Sequence, residues 1–110
     1  MIDVVSRTRM VVVLGPGRAD VSPSSYIAQA AQRRLPLLVL AVGYPLSAEQ
    51  QAFVAGCIDR AFAGFVELDA QIVTEAEALE RYVAPTDEVT IVAAGRDERR
   101  IGSVLARLPS

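Results

Sequence analysis

The sequence predicts an α/β domain: a mostly parallel four-stranded sheet with helices on both faces. Strand-like and helix-like segments alternate four times along 110 residues. Two of the strand-like segments, MVVVL at Met10–Leu14 and LLVLAV at Leu37–Val42, are unbroken aliphatic runs, the pattern of strands covered on both sides. The helix-like segments open on capping signals, and the loops between elements are short. Consecutive parallel strands need a right-handed crossover, so this order places a helix between each pair.

The first strand stops at Gly15-Pro16-Gly17, and Ser22 then caps a helix with Pro23 at its first position. Ile27, Ala30 and Ala31 form its apolar face before Leu35-Pro36 ends it. After the second strand, Ser47 and Gln50 form a capping-box pair ahead of Phe53, Val54, Cys57, Ile58, Ala61 and Phe62, the apolar positions of the strongest helix. VELDAQIV alternates Val66, Leu68, Ala70 and Ile72 with Glu67, Asp69 and Gln71. EVTIVA sets Val89, Ile91 and Ala93 against Glu88 and Thr90. Each of these strands has one wetter face, which places them at the sheet edges, with the first two strands central. Between them, Thr74 with Glu77 suggests a capping box before Ala76, Leu79, Tyr82 and Val83. A last helix from Asp97 carries Ile101, Val104, Leu105 and Leu108 on its face. Residues 1–8 lie outside this scheme, as an N-terminal arm or an extra edge strand contributed by Ile2, Val4 and Val5.

Composition narrows the function. The chain is 52% apolar with a net charge of -2, which suits one domain, residues 1–110, with one core. It lacks the basic surface that nucleic acid requires. No apolar run approaches the roughly 20 residues of a membrane span, and MIDVVSRTR has no signal-peptide core, so the expectation is a cytoplasmic chain with no membrane partner. There is no His, Lys, Asn or Trp and one Cys. That removes a Ser-His-Asp triad, a Walker lysine, a Schiff-base lysine and a Cys/His zinc site. A hydrolase built on Ser22 or Ser103 with a carboxylate would have no His or Lys base. Cys57, on an apolar helix face, reads as a buried inert thiol. The three tyrosines, Tyr26, Tyr44 and Tyr82, read as packing residues with wet hydroxyls. RDERR reads as a solvated, locally paired face.

The aliphatic first strand ending in glycine, the second strand LPLLVLAVGYP, the long helix, the short EAEALERYV helix and DEVTIVAAGRDERRIGSVLARL together resemble the universal stress protein family over residues 9–108. The resemblance implies strand order 3-2-1-4, in agreement with the central placement of the two aliphatic strands. Nucleotide-binding relatives carry an Asp near the end of the first strand, where this chain has Leu14. Their glycine loop after the fourth strand, G-x2-G-x9-G-S/T, is matched here by Gly95 and Gly102-Ser103, with Glu98 in place of the second glycine and a shorter spacing. The motif is degenerate, and a carboxylate there repels phosphate. The family's fifth strand has no counterpart, so the chain resembles a truncated member.

In open α/β sheets, ligands bind beyond the carboxyl ends of the strands where connectivity switches sides, here between strands 1 and 4. Gly15, Gly17, Arg18 and Ser22 from the first loop, with Gly95, Arg96, Gly102 and Ser103 from the second, are the candidate ligand-binding residues. The plainer reading makes Gly15 and Gly17 a sharp exit and Ser22 a cap. The resulting expectation is a non-enzymatic, stress-associated regulatory module for binding and assembly, with no catalytic residues, metal or resident cofactor. The alternative is a nucleotide- or small-anion-binding domain using the same two loops. Residues 88–94, VTIVAA within them free of Pro and Lys, form an edge that invites pairing with a second copy, a homodimer through strand 4.

Overall fold

A computed structural model describes residues 9–16 and 22–107. The chain runs β1 (Met10–Leu14), α1 (Pro23–Arg33), β2 (Leu37–Val42), α2 (Ala48–Gly64), β3 (Leu68–Val73), a 3-10 helix η1 (Ala76–Arg81), β4 (Glu88–Val92) and α3 (Gly95–Ala106). The four strands form one sheet in the order β3-β2-β1-β4, and every pairing is parallel. Met10 lies beside both Leu37 and Glu88, and Leu14 beside both Ala41 and Val92, so β1 is paired along its whole length on two sides.

Alternation along β1 and β2 divides the core in two. Met10, Val12, Leu14, Leu37 and Val39 pack under α1 and α2 against Tyr26, Ile27, Phe53, Cys57 and Ala61. Val11, Val13, Leu38, Leu40 and Val42 pack on the other face against Leu79 and Val83 around η1 and Ile101 and Val104 of α3. Every residue of β1 and β2 is buried, as their aliphatic runs require. Tyr26 and Phe53 meet with ring centroids 6.0 Å apart at 60°, a tilted contact that joins α1 to α2.

The caps explain where the helices begin. The Ser22 hydroxyl accepts from the Ser24 N–H at 3.3 Å with Pro23 in the first turn. At α2, the Gln50 N–H donates to Ser47 Oγ at 3.1 Å and the Ser47 N–H to Gln50 Oε1 at 2.9 Å, a complete capping box. Both helices end in a left-handed residue other than glycine, Arg34 at φ 55 and Phe65 at φ 57. At the amino ends of β1 and β4, the Arg9 guanidinium donates to Asp87 Oδ1 at 3.0 Å and to the Tyr82 carbonyl. The Asp87 Oδ2 in turn accepts from the Ala84 N–H.

The structure corrects several sequence expectations. Ile58 and Phe62 do not join the core; they are 52% and 90% exposed, because α1 draws the other flank of α2 inward. Thr74 caps nothing: the segment after β3 is a 3-10 helix entered from Glu75 without a side-chain cap. The last helix starts at Gly95 rather than Asp97. On β3, Ala70 and Ile72 are exposed although Leu68 packs against the core on the same face. Residues 1–8 and Leu108 lie outside the described residues.

Candidate functional site

Strand connectivity switches sides between β1 and β4, so the carboxyl ends of those strands are the place to look for a ligand. They are held close together. The Gly15 N–H donates to the Val92 carbonyl at 2.9 Å, so this amide is spent on the sheet. A Cβ on Gly15 would lie 2.7 Å from Ala93 Cβ and 3.6 Å from Asp97 Cβ. Glycine is required here by close approach of β4's exit, and the first turn of α3 stands over the end of β1.

The other candidates are dispersed around this contact. Gly17 and Arg18 lie outside the described residues. Ser22 caps α1, with its hydroxyl also 2.7 Å from Ser24 Oγ. Gly95 begins α3 at φ +62, where a side chain would be strained although nothing crowds it. Ala94 precedes it as an N-cap without a side-chain bond. Arg96 is exposed beside it, but Asp97 and Glu98 occupy the same first turn. Their negative charge takes the place an anion would have at the positive end of the helix. Gly102 and Ser103 sit inside α3, not in a loop, so their backbone amides belong to the helix.

A cleft of about 340 Å³ opens beside the crevice, over the η1 and α3 face, lined by Pro16, Gly43, Thr74, Glu75, Asp97 and Arg100 among others. Sequence reasoning missed it because the β3–η1 loop reaches it only through the fold. Its cation is engaged: one Arg100 nitrogen donates to Glu77 Oε1 and Oε2 at 3.0 and 3.1 Å. This bond holds the Glu77 carboxyl below its usual range. Glu75 and Asp97 face the cleft as well, so its lining is acidic on balance. Among the described residues, no group of three or more His, Cys, Asp or Glu is placed to hold a metal ion.

Two buried groups behind the crevice have structural partners. Gln50 is fully buried, and its Nε2 donates to the carbonyls of Leu14 at 3.0 Å and Val42 at 2.9 Å. It ties the exits of the two central strands to the start of α2. Cys57 is a free, buried thiol whose pKa burial pushes up to about 11. Of the tyrosines, Tyr26 is buried, which raises its pKa, while Tyr44 is 77% exposed next to a cis bond to Pro45.

These elements define a doubly wound α/β domain in which the exits of β1 and β4 stand close together at Gly15 and Ala93. Among the described residues, no helix is long and apolar enough to cross a membrane. No protein-family model matches the chain, and no curated protein matches its sequence.

Proposed function

We propose that this chain is a small, non-enzymatic binding and assembly module of the stress-associated regulatory kind, working in the cytoplasm and related in design to the universal stress proteins. The observation that carries this reading is a contrast between two parts of one sheet. At its switch point Gly15 lies close against Ala93 and Asp97, while along the outer side of β3 no strand pairs among the described residues. A function that uses rims is assembly.

The same geometry weighs against nucleotide binding in the manner of the stress proteins. Leu14 is wholly buried where those relatives have an acid, and the Gly95 to Ser103 stretch is helix rather than a phosphate-wrapping loop. The alternative, a small-anion site, is favoured by one feature, the uncapped start of α3 beside exposed Arg96. Asp97 and Glu98 oppose it.

Calorimetry with Mg-ATP and with inorganic phosphate, run beside sedimentation of the same sample, tests the proposal. The expected result is association of the chain with itself and no heat from either ligand at submillimolar concentration. A monomer that binds either ligand with micromolar affinity reverses the ranking of the two readings.

A further inference from the structure

The sequence pointed to β4 as the pairing edge. β3 is the opposite edge of the same sheet, and the ladder shows which of its backbone groups turn outward. The Leu37 N–H donates to the Glu67 carbonyl at 2.9 Å and the Gly43 N–H to the Val73 carbonyl at 2.8 Å. In a parallel ladder, alternate residues turn both backbone groups to the same neighbour. Residues 67, 69, 71 and 73 therefore face β2, and the N–H and C=O groups of Leu68, Ala70 and Ile72 face outward. No described residue bonds to them.

An apolar strip runs alongside this rim. The flank of α2 that meets α1 is marked by Gly56 against Pro23 and Gly64 against Ile27. Ile58 and Phe62 stand one helical turn apart on the opposite flank, the side over β3. Leu68 packs toward α2, so by alternation Ala70 and Ile72 point to the same face. Ile58, Phe62 and Ile72 are 52%, 90% and 49% exposed. Apolar groups beside an unpaired strand rim mark an interaction surface.

The occupant is indicated by the order of residues along β3. Leu68-Asp69-Ala70-Gln71-Ile72 reads as apolar, polar, small, polar, apolar in both directions. A two-fold axis requires a surface to complement itself. We propose that β3 is the assembly edge of the protein: two copies pair antiparallel across a two-fold axis at Ala70, extending the sheet from one subunit into the other. Leu68 then lies opposite the partner's Ile72, and Asp69 opposite the partner's Gln71. The outward groups of residues 68, 70 and 72 bond reciprocally, and each carboxylate meets an amide that donates to it. Moving the axis by one residue to Asp69 sets two carboxylates face to face. On the helical side, small Ala70 at the axis leaves room for Ile58 and Phe62 of both subunits to cover the joined strands.

This inference rests on the assembly reading and adds the surface and the partner. Sedimentation velocity of the full chain at tens of micromolar, with three variants, tests it. Ala70→Pro removes an outward donor and no bond to β2. Phe62→Glu places charge on the exposed strip and leaves the core intact. Ile91→Pro does to the rim of β4 what Ala70→Pro does to β3. Circular dichroism and thermal unfolding establish that each variant is folded. The expected result is a wild-type dimer, weakened at least tenfold by Ala70→Pro and by Phe62→Glu and unaltered by Ile91→Pro. A dimer that resists Phe62→Glu and dissociates with Ile91→Pro overturns the β3 assignment and leaves the assembly reading standing. A wild-type monomer at every concentration overturns both.

Discussion

Gln50 Nε2 donates to the carbonyl oxygen of Leu14 at 3.0 Å, joining the first turn of α2 to the end of β1 across 36 positions of sequence. The same nitrogen reaches Val42, and the Oε1 holds the Ser47 N–H, so one buried amide satisfies three backbone groups. Replacing it with a side chain of similar shape isolates the contribution of those bonds. Gln50→Met keeps the volume and leaves two buried carbonyls and one N–H without their partner. The expected loss is about 3 kcal/mol, because each unsatisfied buried group costs about 1–3 kcal/mol and the interior relaxes to recover part of it. Urea unfolding measures it through a lower midpoint at constant slope.

Gly15 is set by its approach to Ala93. Gly15→Ala forces two methyl groups to 2.7 Å and is expected to cost about 1–3 kcal/mol, the range for overpacking. Ala93→Gly in the same chain removes the opposing methyl. The double variant is therefore expected to recover most of the loss made by Gly15→Ala, and a thermodynamic cycle reports the coupling directly. Strict additivity of the two changes would mean that the Ala93 methyl is not what excludes a side chain at Gly15.

Much of this architecture was legible in the sequence, for reasons that are local. The aliphatic runs of β1 and β2 had no polar face to offer, and the caps at Ser22 and Ser47 act within three residues of themselves. What could not be read depends on neighbours distant in sequence. Gln50 was visible as half of a capping box, but its bonds to Leu14 and Val42 exist only once the strands lie side by side. The broad apolar band of α2 held Phe53, Cys57 and Ala61 together with Ile58 and Phe62; only the position of α1 decides which part turns inward. At the candidate site, the sequence offers Gly15 as a ligand-binding residue or a sharp strand exit, and the approach of Ala93 to it comes only from the fold. Gly102 and Ser103 resembled a loop motif that α3 absorbs, and Gly17 and Arg18 fall outside the described residues.

Cys57 provides a titration experiment. Burial holds its pKa at about 11, above the ~8.5 of a free thiol, so the folded state disfavours the thiolate. Below the unfolded pKa the thiol is neutral in both states and the associated stability is fully present. As pH rises from about 8.5 toward 11, the unfolded chain loses this proton first, and stability falls. Tyr26, also raised by burial, contributes in the same direction. Stability measured across that window is expected to decline less steeply in Cys57→Ala than in the wild type. At neutral pH the native thiol should resist alkylation and react promptly once the chain is unfolded.

Phe65 is 96% exposed and closes α2 in a left-handed conformation that favours glycine. Its ring lends almost nothing to the core, so Phe65→Gly relieves backbone strain with little lost packing. Thermal unfolding is expected to show a gain of about 1 kcal/mol. A loss of stability would mean that the ring's contact with the rest of the chain outweighs the strain.

The central claim is that this sheet works through its rim and not through the switch point between β1 and β4. Sedimentation equilibrium of the wild-type chain from low to tens of micromolar, repeated with millimolar Mg-ATP, addresses it most directly. The expected result is a concentration-dependent dimer whose association constant is unchanged by the nucleotide. A chain that remains monomeric throughout, or that dimerises only when Mg-ATP is present, contradicts the account.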